Sequence, residues 1–192
     1  FFTSVSTSSF FGGTIAKKII SSIEDGFLPS NTTILEIGAH HGYLLADIIQ
    51  FIYTLKPQLL ETLNFAIVER FVNLQEQQKK YLFDSFGDVI KLKHYDDISE
   101  VKLENAYVIA NEIFDAFSCD LVYTNKDGIL QQAFVSNHKI EFVDCIDEKI
   151  IEHCKKYSIT KGEVALSYKG FVETLCKNIK TFEFLTFDYG DR

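Results

Sequence analysis

The chain has 192 residues, 46% of them apolar, which is enough for one sizeable core and short of two comfortable domains. Its 27 acidic residues against 19 basic ones give a formal net charge of -8, and no Lys or Arg cluster is long enough to follow a phosphate backbone, so nucleic acid is not an expected partner. No apolar run approaches the roughly 20 residues that span a bilayer, and a soluble chain is expected.

The opening "FFTSVSTSSFF" lacks the Arg of a transit peptide and the apolar centre of a signal peptide, so it reads as part of the fold. From Ile15 the apolar positions Ile15, Ala16, Ile19, Ile20 and Ile23 predict a half-buried helix ending near Gly26. "TILEIG" (33–38) is apolar on both faces, as a central parallel strand must be, and Gly38 stops it. Leu44, Leu45, Ile48, Ile49 and Ile52 then form a helical stripe.

"NFAIVE" (64–69) predicts a second strand, and Phe71, Leu74, Gln78, Tyr81 and Leu82 mark a second helix of this series. "DVIKLKHYDD" (88–97) and "AYVIANE" (106–112) predict the third and fourth strands, and this alternation is that of a doubly wound parallel sheet with its crevice at the carboxyl ends of the strands. Beyond residue 118 the pattern changes. Two short strands around "NKDG" and a third at "KIEFVDC" predict an antiparallel insertion over about 119–145. Helical spacing returns at Ile150, Ile151 and Cys154 and again at Tyr168, Phe171, Val172 and Leu175, before a last strand at "TFEFLTFDYG" (181–190). The absence of Met and the stop at "FDYGDR" directly after that strand lead us to expect missing residues at both ends of a single domain.

A dinucleotide fingerprint needs glycines at 38, 40 and 43, where the chain has Gly38, His40 and Tyr43. The pattern that fits is ExGxxxG, with Glu36, Gly38 and Gly42, which resembles a reduced form of the ExGxGxG loop of S-adenosylmethionine (SAM) methyltransferases. Its glycines let the backbone pass closely beneath a ligand, and the following helix offers free amides. Glu69 ends the second strand, where a carboxylate accepts both hydroxyls of a ribose. Asp96 or Asp97 follows the third strand at the place for an adenine amino group, and Phe71 is placed to cover the ring. "ANEIFDAF" delivers Asn111, Glu112 and, one turn later, Asp115 toward the same crevice, where polar groups must bind something or incur a desolvation cost.

The segments "FFTSVSTSSFFGGTIA", "ILEIGAHHGYLLADII", "IVER", "ANEIFDAF", Gly162 with Glu163, and "FLTFDYGD" resemble, in this order, the MidA-like SAM-dependent methyltransferases. That family includes a protein arginine methyltransferase of mitochondrial complex I assembly. The resemblance implies a Rossmann-like class I methyltransferase sheet that continues past "DYG", with SAM as cofactor and an arginine-bearing protein as substrate. It makes Glu36, Gly38, Ala39, His40 and Gly42 the cofactor loop, Glu69 the ribose ligand and Asp96 the adenine-side acid, with Asn111, Glu112 and Asp115 at the substrate end. The chain departs from the family at His40, where glycine is usual, and at Val5 and Ser6, where Pro and Glu are usual. A β-carbon at residue 40 narrows the approach to the methionine moiety.

The competing reading is a non-catalytic assembly factor that docks through the 121–144 insertion. A metal site at His40, His41 and Asp47 is not expected, because adjacent histidines diverge and no third ligand has a convincing spacing. His94, His138 and His153 are expected at the surface, and the 18 Phe residues in the core. Cys119, Cys145, Cys154 and Cys176 form no CxxC pair and read as reduced core thiols. Bacterial cytoplasm is the expected compartment, with the mitochondrial matrix as the alternative, and no feature of the sequence sets an oligomeric state.

Overall fold

The structure, a computed structural model, describes residues 8–189. The expectations that fall on residues 1–7 and 190–192, including Val5 and Ser6, lie outside them. The described residues up to Ile113 and from Thr174 onward form one compact unit, and Phe114–Glu173 form another.

The first unit runs through helix α1 (Phe10–Glu24), strand β1 (Thr33–Ile37), helix α2 (Tyr43–Leu55), strand β2 (Asn64–Val68), helix α3 (Val72–Phe86) and strands β3 (Leu92–Tyr95) and β4 (Leu103–Asn111). The second unit contains strands β5 (Asp120–Thr124), β6 (Leu130–Ser136) and β7 (Lys139–Asp144), helix α4 (Glu148–Tyr157) and strand β8 (Lys161–Val164). Helix α5 (Ser167–Asn178) then leads to strand β9 (Ile179–Phe187).

Strands of the first unit form a parallel sheet in the order β3-β2-β1-β4-β9. All five residues of β1 are buried, as the uninterrupted apolar run requires of a strand covered on both faces. Register pairs Ile34 with Phe65 and Tyr107, and Glu36 with Ile67 and Ile109, so these six side chains share one face of the sheet. Over that face lie Ile15, Ala16, Ile19 and Ile20 of α1 and the predicted α2 stripe of Leu44, Leu45, Ile48, Ile49 and Ile52. Helices α1 and α2 pack through glycines. A Cβ on Gly12 would stand 2.5 Å from Asp47 Cβ, and one on Gly13 2.7 Å from the Phe51 ring.

The fold differs from the sequence reading in extent at several points. Helix α1 starts five residues before Ile15, at Phe10. Strand β3 begins only at Leu92, because Gly87 ends α3 with φ +58° and opens a 3₁₀ turn through Val89. Among the phenylalanines, Phe65 is a core residue, whereas Phe10, Phe27, Phe71, Phe83 and Phe134 are exposed. Of the cysteines only Cys154 is buried. Cys145 is half-buried, and Cys119 and Cys176 are exposed.

The second unit is a four-stranded antiparallel sheet in the order β7-β6-β5-β8. The predicted β5–β6 turn forms at Asn125, whose side-chain oxygen accepts from the amides of Asp127 and Ile129 while Gly128 takes φ +79°. The fourth strand, β8, was not expected from the sequence, and its KGEV is too short and polar to signal a strand. Val122, Val164, Ile150 and Cys154 make the core between this sheet and α4. Asp147 caps α4 through the amides of Lys149 and Ile150, with Lys155 and Lys156 in the last turn. Among the described residues, no helix is long and apolar enough to cross a membrane.

Candidate active site

The chain winds from β1 outward to β3 and then crosses to β4 on the other side of β1, so the order in which strands are added reverses between β1 and β4. In open parallel sheets ligands bind beyond the carboxyl ends of the strands at such a reversal. Four of the sequence-predicted segments converge there in the first unit. They are the Gly38–Gly42 loop after β1, Glu69 after β2, Asp96 after β3, and Asn111 with Glu112 at the end of β4.

Gly38 takes φ +71°, a conformation that favours glycine, and a Cβ there would press on Ile113 Cγ2 at 3.0 Å. Its amide donates to Val68 O at 3.1 Å, fastening the loop to the end of β2. Gly42 precedes α2 with φ +79° and donates to Ala39 O at 2.7 Å, closing a tight turn over the buried Ala39 and the exposed His40. His40 itself is left-handed, with φ +49°, a conformation that disfavours residues carrying a Cβ. Its ring lies 3.9 Å from that of His41, so the two do not diverge as the sequence suggested. Among the described residues no group of three His, Cys, Asp or Glu side chains is arranged to hold a metal.

Glu36 is 3% exposed, on the sheet face that α1 and α2 cover. Burial pushes its carboxyl pKa from 4.5 up to about 8, against a lowering by the Leu45 backbone amide in the first turn of α2. Among the described residues its Oε2 has no hydrogen-bond partner. The proton therefore stays on at neutral pH, because an ionised carboxylate there would be desolvated with a single amide to compensate it.

Glu69 is almost as buried, at 7%, yet its carboxylate is held by hydrogen bonds. Oε1 accepts from the Phe71 amide at 3.1 Å, and Oε2 faces Gln78 Nε2 at 3.5 Å. Its own amide donates to Tyr95 O, which ties it to the end of β3. Asp96 accepts from Gln75 Nε2 at 2.7 Å, and the same nitrogen donates to Glu69 O. Asp97 instead caps the 3₁₀ turn Ile98–Glu100 through the Ser99 amide, and the Ser99 hydroxyl, followed by that amide, holds its carboxyl below the usual range. Of the two candidate acids, Asp96 is thus the one tied to Glu69. Phe71 is 55% exposed beside these groups, under the Arg70 guanidinium at 4.9 Å.

Asn111 and Glu112 are half-buried, and Glu112 takes φ +51° as the chain leaves the strand. The Glu112 amide donates to Phe187 O at 2.8 Å, which joins the ends of β4 and β9. Such strain in a residue with a side chain collects at functional sites. Asp115 belongs to the second unit, exposed on the 3₁₀ turn Phe114–Ala116.

Sequence reading missed three polar side chains here. Gln75 and Gln78 of α3 are buried, and Gln78 Nε2 donates to His40 O at 2.8 Å. His94, expected at the surface, is half-buried on β3 with Nε2 3.0 Å from Gln78 Oε1. Burial, and to a lesser extent Lys79, lowers the His94 pKa to about 4, so the ring is neutral.

Two solved structures from Burkholderia thailandensis share this fold. One is a protein bound to S-adenosyl-homocysteine, 21% identical, with TM-score 0.78 over 100% of this chain and 49% of that one. The other is a native structure of a protein of the same superfamily, also 21% identical, with TM-score 0.76 over 98% of this chain and 50% of that one. The chain thus spans about half the length of these structures. No curated protein matches. The model of one protein family, described as "Putative S-adenosyl-L-methionine-dependent methyltransferase", matches residues 14–192, nearly the whole sequence, and the chain belongs to that family.

Proposed function

We propose that this chain is the cofactor-binding part of a methyltransferase that moves a methyl group from SAM to an arginine side chain of a partner protein. One observation carries the reading. A turn whose two glycines, Gly38 and Gly42, both take positive φ and an anchored carboxylate, Glu69, stand at adjacent strand ends beside the reversal of the winding. The donor set fits an adenosyl ligand. A carboxylate offers about four acceptor positions, and the Phe71 amide and Gln78 occupy one each on Glu69, leaving acceptors for two ribose hydroxyls. Asp96, fixed by Gln75, supplies the acceptor for an amino group, and the exposed Phe71 ring an apolar cover.

When bound, SAM supplies an electrophilic methyl group on a sulfonium. The chain's own part is alignment and exclusion of water, since a nucleophile with a lone pair needs little acid or base assistance once held in line. An arginine guanidinium is delocalised and always charged in water. In this reading the Glu112 carboxylate accepts from the guanidinium, draws its positive charge away from the reacting nitrogen, orients that nitrogen and takes the proton it gives up as the methyl joins it, with Asn111 beside it on the same strand end.

The test incubates the full-length protein with radiolabelled SAM and cell extract and locates the labelled residue by mass spectrometry. Glu112→Gln is expected to leave SAM affinity within about twofold while suppressing labelling by at least about tenfold, the mark of a group acting only in the transition state. Equal loss of both would remove Glu112 from the substrate end. Calorimetry that detects no SAM binding would select the non-catalytic assembly role instead.

A further inference from the structure

We infer that Gln78 of α3 is a positioning residue for the cofactor site, holding the loop after β1 against the ribose acid at the end of β2. The inference rests on the reading above, in which both groups face the same ligand.

Gln78 is fully buried in the middle of α3, where a polar side chain must find partners. Its amide nitrogen reaches His40 O at 2.8 Å and Glu69 Oε2 at 3.5 Å. Both are acceptors only, a carbonyl and a carboxylate, so the nitrogen is the atom that faces them. The amide oxygen then faces His94 Nε2 at 3.0 Å, and that ring nitrogen must carry its proton. The side-chain stem lies beside Gly42, whose Cβ would meet Gln78 Cγ at 3.5 Å. One residue therefore touches the glycine loop, the β2 acid and β3.

The shorter contact is to the loop, and it falls on the residue least at ease there. His40 sits at φ +49°, and its carbonyl direction depends on that conformation. An amide donor on this carbonyl favours the left-handed state over the extended alternatives that a His prefers. Gln75, three residues earlier on the same helix face, makes the corresponding link between Glu69 O and Asp96. Helix α3 thus spaces the groups that address the two ends of an adenosine. Neither glutamine needs to touch the ligand.

Gln78→Glu tests this with almost no change in shape. An ionised carboxylate at 78 cannot donate and would face the His40 carbonyl and the Glu69 carboxylate. Once protonated it donates to one of them again, so the defect should fade on acidification. The titratable groups that face position 78 are Glu69 from β2 and His94 from β3, with Lys79 adjacent on α3. Two readouts are taken on the full-length protein at about pH 6 and about pH 8.5. Hydrogen exchange without ligand is expected to show faster exchange of the Gly42 amide in the variant at the higher pH. Calorimetry with S-adenosyl-homocysteine is expected to show at least about a tenfold loss of affinity there relative to wild type, narrowing to about threefold or less at the lower pH. Gln78→Met, which has no donor at any pH, should lose affinity equally at both.

Gln78→Glu with wild-type affinity at both pH values overturns the inference. So does a loss independent of pH, or a faster Gly42 exchange with affinity intact, which would leave Gln78 a fold-holding residue only. Wild-type protein that binds no S-adenosyl-homocysteine would overturn the functional reading and this inference with it, and the wild-type titration distinguishes that failure from the others.

Discussion

Glu36→Gln should make the ligand-free protein more stable at neutral pH, and the gain should grow with pH. In the folded chain the carboxyl pKa rises from 4.5 to about 8 because burial disfavours its charged form. The unfolded chain ionises near the lower value, so the stability associated with the protonated group is complete below pH 4.5 and is lost as pH rises toward 8. Each tenfold change in the ionisation equilibrium is worth about 1.4 kcal/mol, so the wild-type protein forfeits about 3 kcal/mol by pH 7 and between about 4 and 5 kcal/mol by pH 8. Glutamine has the shape of the neutral acid and cannot ionise, so the variant escapes this loss. Urea unfolding of both proteins at about pH 5 and about pH 7 reads the difference between them. The variant's advantage should increase by about 2–3 kcal/mol across that interval, a large share of the 5–15 kcal/mol that holds a typical domain together. An advantage constant to within about 0.5 kcal/mol would mean that Glu36 ionises in the fold near its ordinary pKa, and the account of its burial would be wrong.

The remaining predictions concern backbone and packing. His40→Val should destabilise the fold by about 1–2 kcal/mol in urea unfolding, since a β-branched residue tolerates φ +49° poorly, whereas His40→Gly should keep both stability and S-adenosyl-homocysteine affinity. Gly12→Ala should cost about 1–3 kcal/mol, because its Cβ would stand 2.5 Å from Asp47 Cβ and must push α1 off α2. Ser22→Ala should cost about 1 kcal/mol by removing a hydroxyl that donates to Glu183 at 2.6 Å across 161 residues of chain. Thermal unfolding checks the last two.

The alternation of strand and helix was legible because each element carries its own periodicity. The five apolar α2 positions named from spacing are all buried, and β1 is covered on both faces as its uniform composition implied. Where local signal is thin, the reading fell short. Strand β8 is four residues with one buried side chain, and it is placed by pairing with β5, not by its own pattern. The phenylalanines show the opposite failure. Hydrophobicity places a residue in the core only if geometry has room for it, and Phe71 and Phe83 are exposed despite being as apolar as Phe65.

At the candidate site, the glycines and acids were legible as residues at strand ends, because each follows an apolar run that marks its strand. Gln78 and His94 were not, since an amide on a helix stripe reads as an imperfect apolar position and a histidine in a polar strand as surface. Their meaning lies in contacts 38, 9 and 16 residues apart along the chain, which no local pattern encodes. The same distance in sequence explains why they matter physically. Polar groups buried between three segments must satisfy one another or leave the fold with unpaired atoms. A network of that kind therefore fixes the relative position of the segments more sharply than apolar packing, which tolerates small slips. On the proposed reading a ligand bridging the ends of three strands needs that sharpness in its loop and carboxylates, and the helix behind them links those groups through Gln75 and Gln78.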